Sequence, residues 1–191
     1  MPSHHSVPPR EVRIIGGLWK RTKLPVVDKP GLRPTPDRVR ETLFNWLGHD
    51  LSGWHCVDAF AGTGALGFEA ASRGAAQVLL VEQDAGLLAQ LQKTKTRLDA
   101  HAIQIQRGDG VMALRRLAPG GTHLVLLDPP FDSGLHESAL AAAAAAVAPD
   151  GWVYLEAPVA WTDATLQPFG LVVHRQLKAG AVHAHLLRRA A

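Results

Sequence analysis

Two short segments of the sequence carry residues whose types and spacing suit chemistry at a bound ligand. The first is Leu126-Leu127-Asp128-Pro129-Pro130-Phe131, an apolar run that delivers a carboxylate, two prolines and an aromatic ring to one point. An amine conjugated to a nucleobase is a weak nucleophile, so acceptors must orient its N–H groups and free its lone pair. The Asp128 carboxylate and the Pro129 carbonyl supply such acceptors, Pro129 and Pro130 fix the turn, and Phe131 offers a face for an extruded base. The bland alternative is a strand-terminating turn with Phe131 in the core.

The second segment is Val57-Asp58-Ala59-Phe60-Ala61-Gly62-Thr63-Gly64-Ala65-Leu66-Gly67, in which Gly62, Gly64 and Gly67 match G-x-G-x-x-G. Glycines at that spacing after a strand let the backbone approach a nucleotide-like ligand closely. The loop fits a nicotinamide dinucleotide as well as S-adenosylmethionine, and Glu82 can hold ribose hydroxyls in either. Asp58 shifts the balance, since its carboxylate opposes a pyrophosphate but suits the cationic amino group of a methionine moiety. Asp109, in Gly108-Asp109-Gly110, is placed to reach an adenine amino group, and it equally suits an N-terminal cap for the helix that follows.

These segments require a frame that brings both to one edge. From Trp54 onward, apolar strand-like runs alternate with helical stretches, which predicts a mostly parallel sheet with crossover helices. Strands are expected at 54–59, 77–82, 102–106, 122–127, 151–156, 168–175 and 181–188, and helices at 64–73, 84–99, 110–117 and 134–147. The last two strands, joined through Lys178-Ala179-Gly180, predict an antiparallel C-terminal hairpin. Before the sheet, Glu11–Ile15 and Lys23–Val27 flank Gly16-Gly17 and read as a hairpin or extended arm presenting Trp19, Lys20 and Arg21. Thr35 is expected to cap a helix starting at Pro36, with Val39, Leu43, Phe44 and Leu47 on one face.

Charge is distributed unevenly along the 191 residues. Residues 1–48 hold nine basic against four acidic groups, a local net of +5 within a total of +3, so the rest is slightly acidic. A basic arm on a near-neutral body suits a polyanion, and Arg13, Lys20, Arg21, Lys23, Arg33, Arg38 and Arg40 are the expected RNA contacts. The apolar fraction of 47% and charged fraction of 19% describe a globular chain. No apolar run is long enough for a bilayer and no secretory signal is evident, which predicts a cytoplasmic protein. Cys56 is expected to be a buried structural thiol. The ten histidines form no H-E-x-x-H and one cysteine makes no zinc cluster, so no metal is expected.

Asp128-Pro129-Pro130-Phe131 resembles the D/N-P-P-Y/F signature of amino-directed N-methyltransferases with a seven-stranded Rossmann-like fold. Together with Arg13–Gly17, Gly31–Thr35, Asp37–Leu47 and Asp58–Gly67, it resembles the bacterial 16S rRNA guanine-N2 methyltransferase family over about residues 11 to 137. The resemblance implies methylation of guanine N2 in ribosomal RNA or a small-subunit particle. It also implies S-adenosylmethionine held by the loop residues Asp58, Phe60, Ala61, Gly62, Thr63 and Gly64, with Glu82, Asp109 and Gly110. Residues 140–191 carry no motif of their own. The expected organisation is a disordered tail at 1–10, a basic arm and helix at 11–50 and a methyltransferase domain at 51–191, acting as a monomer. Alternatives that the motifs leave open are adenine N6 or a protein amide as acceptor, a nicotinamide oxidoreductase, and a noncatalytic RNA-binding assembly factor.

Overall fold

The computed structural model describes residues 11–191, and the predicted tail at 1–10 lies outside the described residues. A two-stranded arm, β1 (Glu11–Arg13) and β2 (Lys23–Pro25), precedes helix α1 (Asp37–Leu47). The sheet is then built from β3 (His55–Asp58), β4 (Gln77–Glu82), β5 (Ile103–Arg107), β6 (Thr122–Leu127), β7 (Val147–Ala157), β8 (Leu171–Ala179) and β9 (Val182–Arg189). Between its strands run α2 (Ala65–Ser72), α3 (Ala85–Arg97), α4 (Gly110–Arg115), α5 (His136–Ala146) and the short α6 (Asp163–Leu166).

The strand order is β5-β4-β3-β6-β7-β9-β8, parallel through β7 and antiparallel at β9 and β8. This is the expected seven-stranded Rossmann-like sheet with its C-terminal hairpin. Strand order reverses between β3 and β6, and the crevice beyond the carboxyl ends of those two strands is where open α/β sheets bind ligands. Parallel strands covered on both faces need near-continuous apolar sequence. Leu124, Val125, Leu126 and Leu127 of β6 are accordingly all buried. The two faces form separate cores, one against α1 and α2 and the other against α4 and α5.

Three local expectations are corrected. Strand β7 begins at Val147 rather than 151, because Val147 already pairs with Thr122 before a register shift. The segment after β7, expected to carry no helix, contains α6, whose start is closed by a capping box between Thr162 and Thr165. Thr35 does not cap α1: the N-cap is Pro36 without a side-chain bond, and the Thr35 hydroxyl donates to Glu156 at 2.6 Å instead.

The arm also differs in its seating. Gly16-Gly17 lies in the connection of the expected hairpin, and there the arm rests against the end of α2. A Cβ at Gly17, whose φ is +77°, would sit 1.9 Å from the Ser72 carbonyl oxygen. Leu18 N–H donates to that oxygen at 2.7 Å, and the Trp19 N–H donates to the Ser72 hydroxyl at 2.9 Å. Trp19 is therefore only partly presented to solvent. It is half-buried and meets Phe68 edge-on, with ring centroids 6.4 Å apart.

Beneath the arm, the fully buried Glu69 carboxylate accepts from the N–H groups of Ile15 and Gly16, both at 2.9 Å, and from Arg73 Nε at 3.0 Å. Arg40, also fully buried, lies 3.5 Å from the same carboxylate. It donates to the carbonyls of Thr35 at 3.1 Å and Arg13 at 2.8 Å, and pairs with Asp37. Arg40 is thus an internal bracket rather than an RNA contact. Its position on α1 beside Val39 and Leu43 turns it inward, whereas Arg38 stays exposed. Removing one partner of such a buried cluster leaves uncompensated charge at a cost of about 3 to 5 kcal/mol. Glu69→Ala is expected to lose about that much in urea denaturation and to expose the Ile15 and Gly16 amides to hydrogen exchange. A loss below about 1 kcal/mol, the range of surface pairs, would contradict the bracket.

Candidate active site

The residues singled out from the sequence converge on the carboxyl edge of the sheet. β3 ends in Asp58, β4 ends in Glu82, Asp109 and Asp128 follow the ends of β5 and β6, and Glu156 lies near the end of β7. Parallel strands in register bring their last residues to one edge, so five carboxylates from five strands line one crevice.

The glycine loop runs from β3 into α2. Gly64 is the N-cap of α2 in a left-handed conformation, and a Cβ there would press on Phe68 and Leu91 at 2.7 Å. A Cβ at Gly67 would meet Leu80 at 2.1 Å, so Gly67 lets α2 lie close on the sheet. Gly62 differs, since its Cβ would point into open space with only Leu32 nearby at 3.4 Å. Internal packing demands glycine at Gly64 and Gly67, whereas Gly62 borders open space. Phe60 is half-buried, and Ala61 and Thr63 are buried within the loop.

Glu82 braces this loop: its carboxylate accepts from Gly62 N–H at 2.9 Å and from the N–H groups of Gln83 and Asp84 at 2.9 and 3.0 Å. Asp109 caps α4, accepting from Met112 N–H at 2.8 Å through Oδ1, so its other oxygen is left for a ligand. Gly110 owes its identity to packing, since a Cβ there would lie 2.0 Å from the Ala59 carbonyl oxygen.

Asp58 is almost fully buried. One oxygen accepts from Gly67 N–H at 3.2 Å, while Oδ1 has no hydrogen-bond partner among the described residues. Burial pushes its carboxyl up to about 7, opposed by backbone N–H donors and assisted by the charges of Glu82 and Glu156. A buried acceptor without a donor is costly, and the ammonium group of a methionine moiety would meet the need. The residues therefore fit S-adenosylmethionine: Asp58 would hold its ammonium, Glu82 its ribose and Asp109 its adenine.

Beyond β6, Pro129 is buried and Phe131 keeps 37% of its surface exposed, a large aromatic face turned outward beside the crevice. The plain-turn reading with Phe131 in the core is thereby set aside. Asp128 lies among acidic neighbours. Burial first, then the charges of Glu156 and Asp58, push its carboxyl well above the usual carboxylate range. Sequence reasoning missed Glu156 and Thr35 as members of this site. Glu156 sits inside an apolar strand with no motif around it, and only the pairing of β6 with β7 brings it alongside Asp128.

The model of the family described as "Conserved hypothetical protein 95" matches residues 12–188. "Ribosomal RNA small subunit methyltransferase D" of Escherichia coli K12 is 43% identical over 189 residues, covering 95% of this chain and 91% of that protein. The protein of the same name from Haemophilus influenzae is 38% identical over 178 residues, covering 86% and 92%. The chain belongs to this methyltransferase D family. The solved structure of the Escherichia coli protein yhhF superposes with a TM-score of 0.81 at 40% identity, covering 95% of this chain and 99% of that one. As a member of the methyltransferase D family with this fold, the chain is a methyltransferase, which removes the nicotinamide oxidoreductase alternative. Family and fold together imply S-adenosylmethionine as its methyl donor. Among the described residues no helix is long and apolar enough to cross a membrane, and no group of three metal-ligating side chains occurs.

The buried Asp58 carboxyl makes cofactor binding pH-dependent in a definite direction. Its folded value near 7 lies above the ordinary 3.8, so below about pH 7 the group holds a proton that a cationic ligand must displace. S-adenosylmethionine affinity is expected to fall up to about tenfold per pH unit from pH 7 to pH 5.5, with proton release on binding. Calorimetry in buffers of different ionisation enthalpy measures both. A pH-independent affinity without proton release would remove Asp58 from the ammonium site.

Proposed function

We propose that this chain methylates the exocyclic N2 of a guanine in small-subunit ribosomal RNA, acting in the cytoplasm with S-adenosylmethionine as donor. The observation that carries the reading is the placement of Asp128, Pro129, Pro130 and the exposed Phe131 at the switch point next to the glycine loop. The cofactor supplies an electrophilic methyl group on a cationic sulfur. In the proposal, Phe131 stacks on the extruded base, and Asp128 with the Pro129 carbonyl accepts the N2 hydrogens and aims the lone pair at the methyl group. The proton leaves after transfer, when the nitrogen has become cationic and acidic. The names of the curated relatives support ribosomal RNA as substrate, and the resemblance described above supports guanine N2.

The proposed RNA surface is the arm with its neighbours. Arg13, Lys20, Arg21, Lys23, Arg33 and Arg38 are all exposed. Lys23 pairs with Glu11 at 3.1 Å and Arg13 with Asp37 at 3.3 Å, but exposed pairs of this kind are worth at most about 1 kcal/mol and yield to phosphate. Neutralising Arg13, Lys20, Arg21 and Lys23 together is expected to weaken RNA binding. Each lost phosphate contact should reduce the slope of log K against log salt by about 0.7 to 0.9. An unchanged slope would make the arm purely structural.

Asp128 tests the chemistry. Single-turnover methyl transfer to small-subunit RNA is expected to persist in Asp128→Asn, which keeps an acceptor, and to drop by at least about one to two decades beyond that in Asp128→Ala. Cofactor binding should hold in both. Full activity of Asp128→Ala would overturn the catalytic assignment. Methyl transfer to adenine or to a protein amide instead of guanine would move the acceptor to one of the alternatives.

A further inference from the structure

Glu156 carries none of the roles assigned above, yet it is the most enclosed acid at the crevice after Asp58, with 3% of its surface exposed. The parallel register pairs Leu126 with Tyr154 and Leu127 with Leu155, so the next step along both strands sets Asp128 beside Glu156. That register places the two carboxyls on the same face of neighbouring strands, and each acts on the other's ionisation. Glu156 is differently provided for. Its Oε1 accepts from the Thr35 hydroxyl at 2.6 Å and from the Tyr154 hydroxyl at 2.9 Å.

Every element packed around the pair contributes a charge or a dipole. Asp58 faces it from β3, Arg40 faces Glu156 from α1, and the His136 ring faces the Glu156 carbonyl from α5. Tyr154 lies on the same strand. Two adjoining carboxyls withdrawn from water do not both ionise, and the one with hydroxyl donors and a nearby cation keeps the charge. Glu156 has two such donors and Arg40, whereas Asp128 has an anion.

We infer that Asp128 and Glu156 hold a single proton, carried on Asp128 and directed at the Glu156 carboxylate, and that Glu156 is a positioning residue for methyl transfer. Its bearing on catalysis rests on the proposed role of Asp128. The hydrogen bond to Glu156 fixes the Asp128 carboxyl in its plane and leaves a neutral carbonyl oxygen toward the crevice. An asparagine there would present the same surface, its NH₂ donating to Glu156 and its carbonyl accepting from the substrate amine. Because Thr35 belongs to the link between arm and α1, the same bond ties the charge on Glu156 to correct seating of the arm.

The proton can be located in the full chain without RNA, so the result is independent of which base is methylated. Carbon-13 NMR of protein labelled at the aspartate and glutamate carboxyls is titrated with pH, Asp128 being assigned by Asp128→Asn, Asp58 by Asp58→Asn and Glu156 by Glu156→Gln. Asp128 is expected to remain protonated at neutral pH with Glu156 ionised. In Glu156→Gln, Asp128 is expected to ionise at a lower pH than in the wild-type protein, while burial and Asp58 still hold it above the ordinary carboxylate range. Single-turnover methyl transfer in that variant should fall about ten- to a hundredfold with cofactor affinity unchanged, while Asp128→Asn, which keeps the bond to Glu156, loses less. An Asp128 carboxyl that titrates normally in the wild-type protein, or one whose titration is unmoved by Glu156→Gln, overturns the inference. The Asp128 titration in wild-type protein decides the proton's location even if Glu156→Gln fails to fold.

Discussion

The buried Glu69 carboxylate is the contact on which the arrangement of this molecule depends. Standing on α2, directly after the glycine loop, it receives two arm amides and neutralises Arg73 and Arg40. Arg40 in turn holds the Thr35 carbonyl, and the Thr35 hydroxyl reaches Glu156 beside Asp128. A continuous series of short polar contacts thus runs from the arm to the proposed methyl-acceptor site. An ion cluster of this kind, sealed from water, is costly to break but adds little over an apolar replacement. Its value here is orientation, since it fixes where the basic arm stands relative to the crevice.

The crevice follows from topology. Parallel strands that reverse order between β3 and β6 leave a gap at their carboxyl ends, and there the chain places a glycine loop on one side and the Asp-Pro-Pro-Phe turn on the other. Acidic residues ending successive strands would repel one another in an empty apolar pocket. Each is instead given something to do: Glu82 braces the loop, Asp109 caps α4, and Glu156 takes two hydroxyls. Among these acids of the described residues, Asp58 alone keeps a buried oxygen without a hydrogen-bond partner, as a position that receives a cation from outside the chain would.

Much of this was legible in the sequence because it is local. The strands of the sheet are runs of β-prone apolar residues bounded by glycine and acidic turns, and the two motifs announce themselves by spacing. Asp109 shows both readings at once, a helix cap with an oxygen to spare. What could not be read depends on tertiary partners. Arg40 counts as one more cation in a basic stretch until α1 turns it toward Glu69. Gly16-Gly17 has the composition of a turn, but its requirement comes from the Ser72 carbonyl, 55 or more residues away. Thr35 has the right spacing for a cap and is drawn off by Glu156, whose own place beside Asp128 exists only through the register of β6 and β7. At Gly64 the spacing points to a ligand, and the structure adds a second demand for glycine from Phe68 and Leu91 that no motif announces.

The central claim, that this architecture presents a guanine of small-subunit ribosomal RNA to the Asp128 turn, is tested most directly by mapping modified nucleosides in that RNA from cells lacking the protein. Mass spectrometry of the isolated RNA is expected to find one N2-methylguanosine missing, restored by the wild-type chain and not by Asp128→Ala. An unchanged set of N2-methylguanosines in the deleted cells, or restoration by Asp128→Ala, would contradict it.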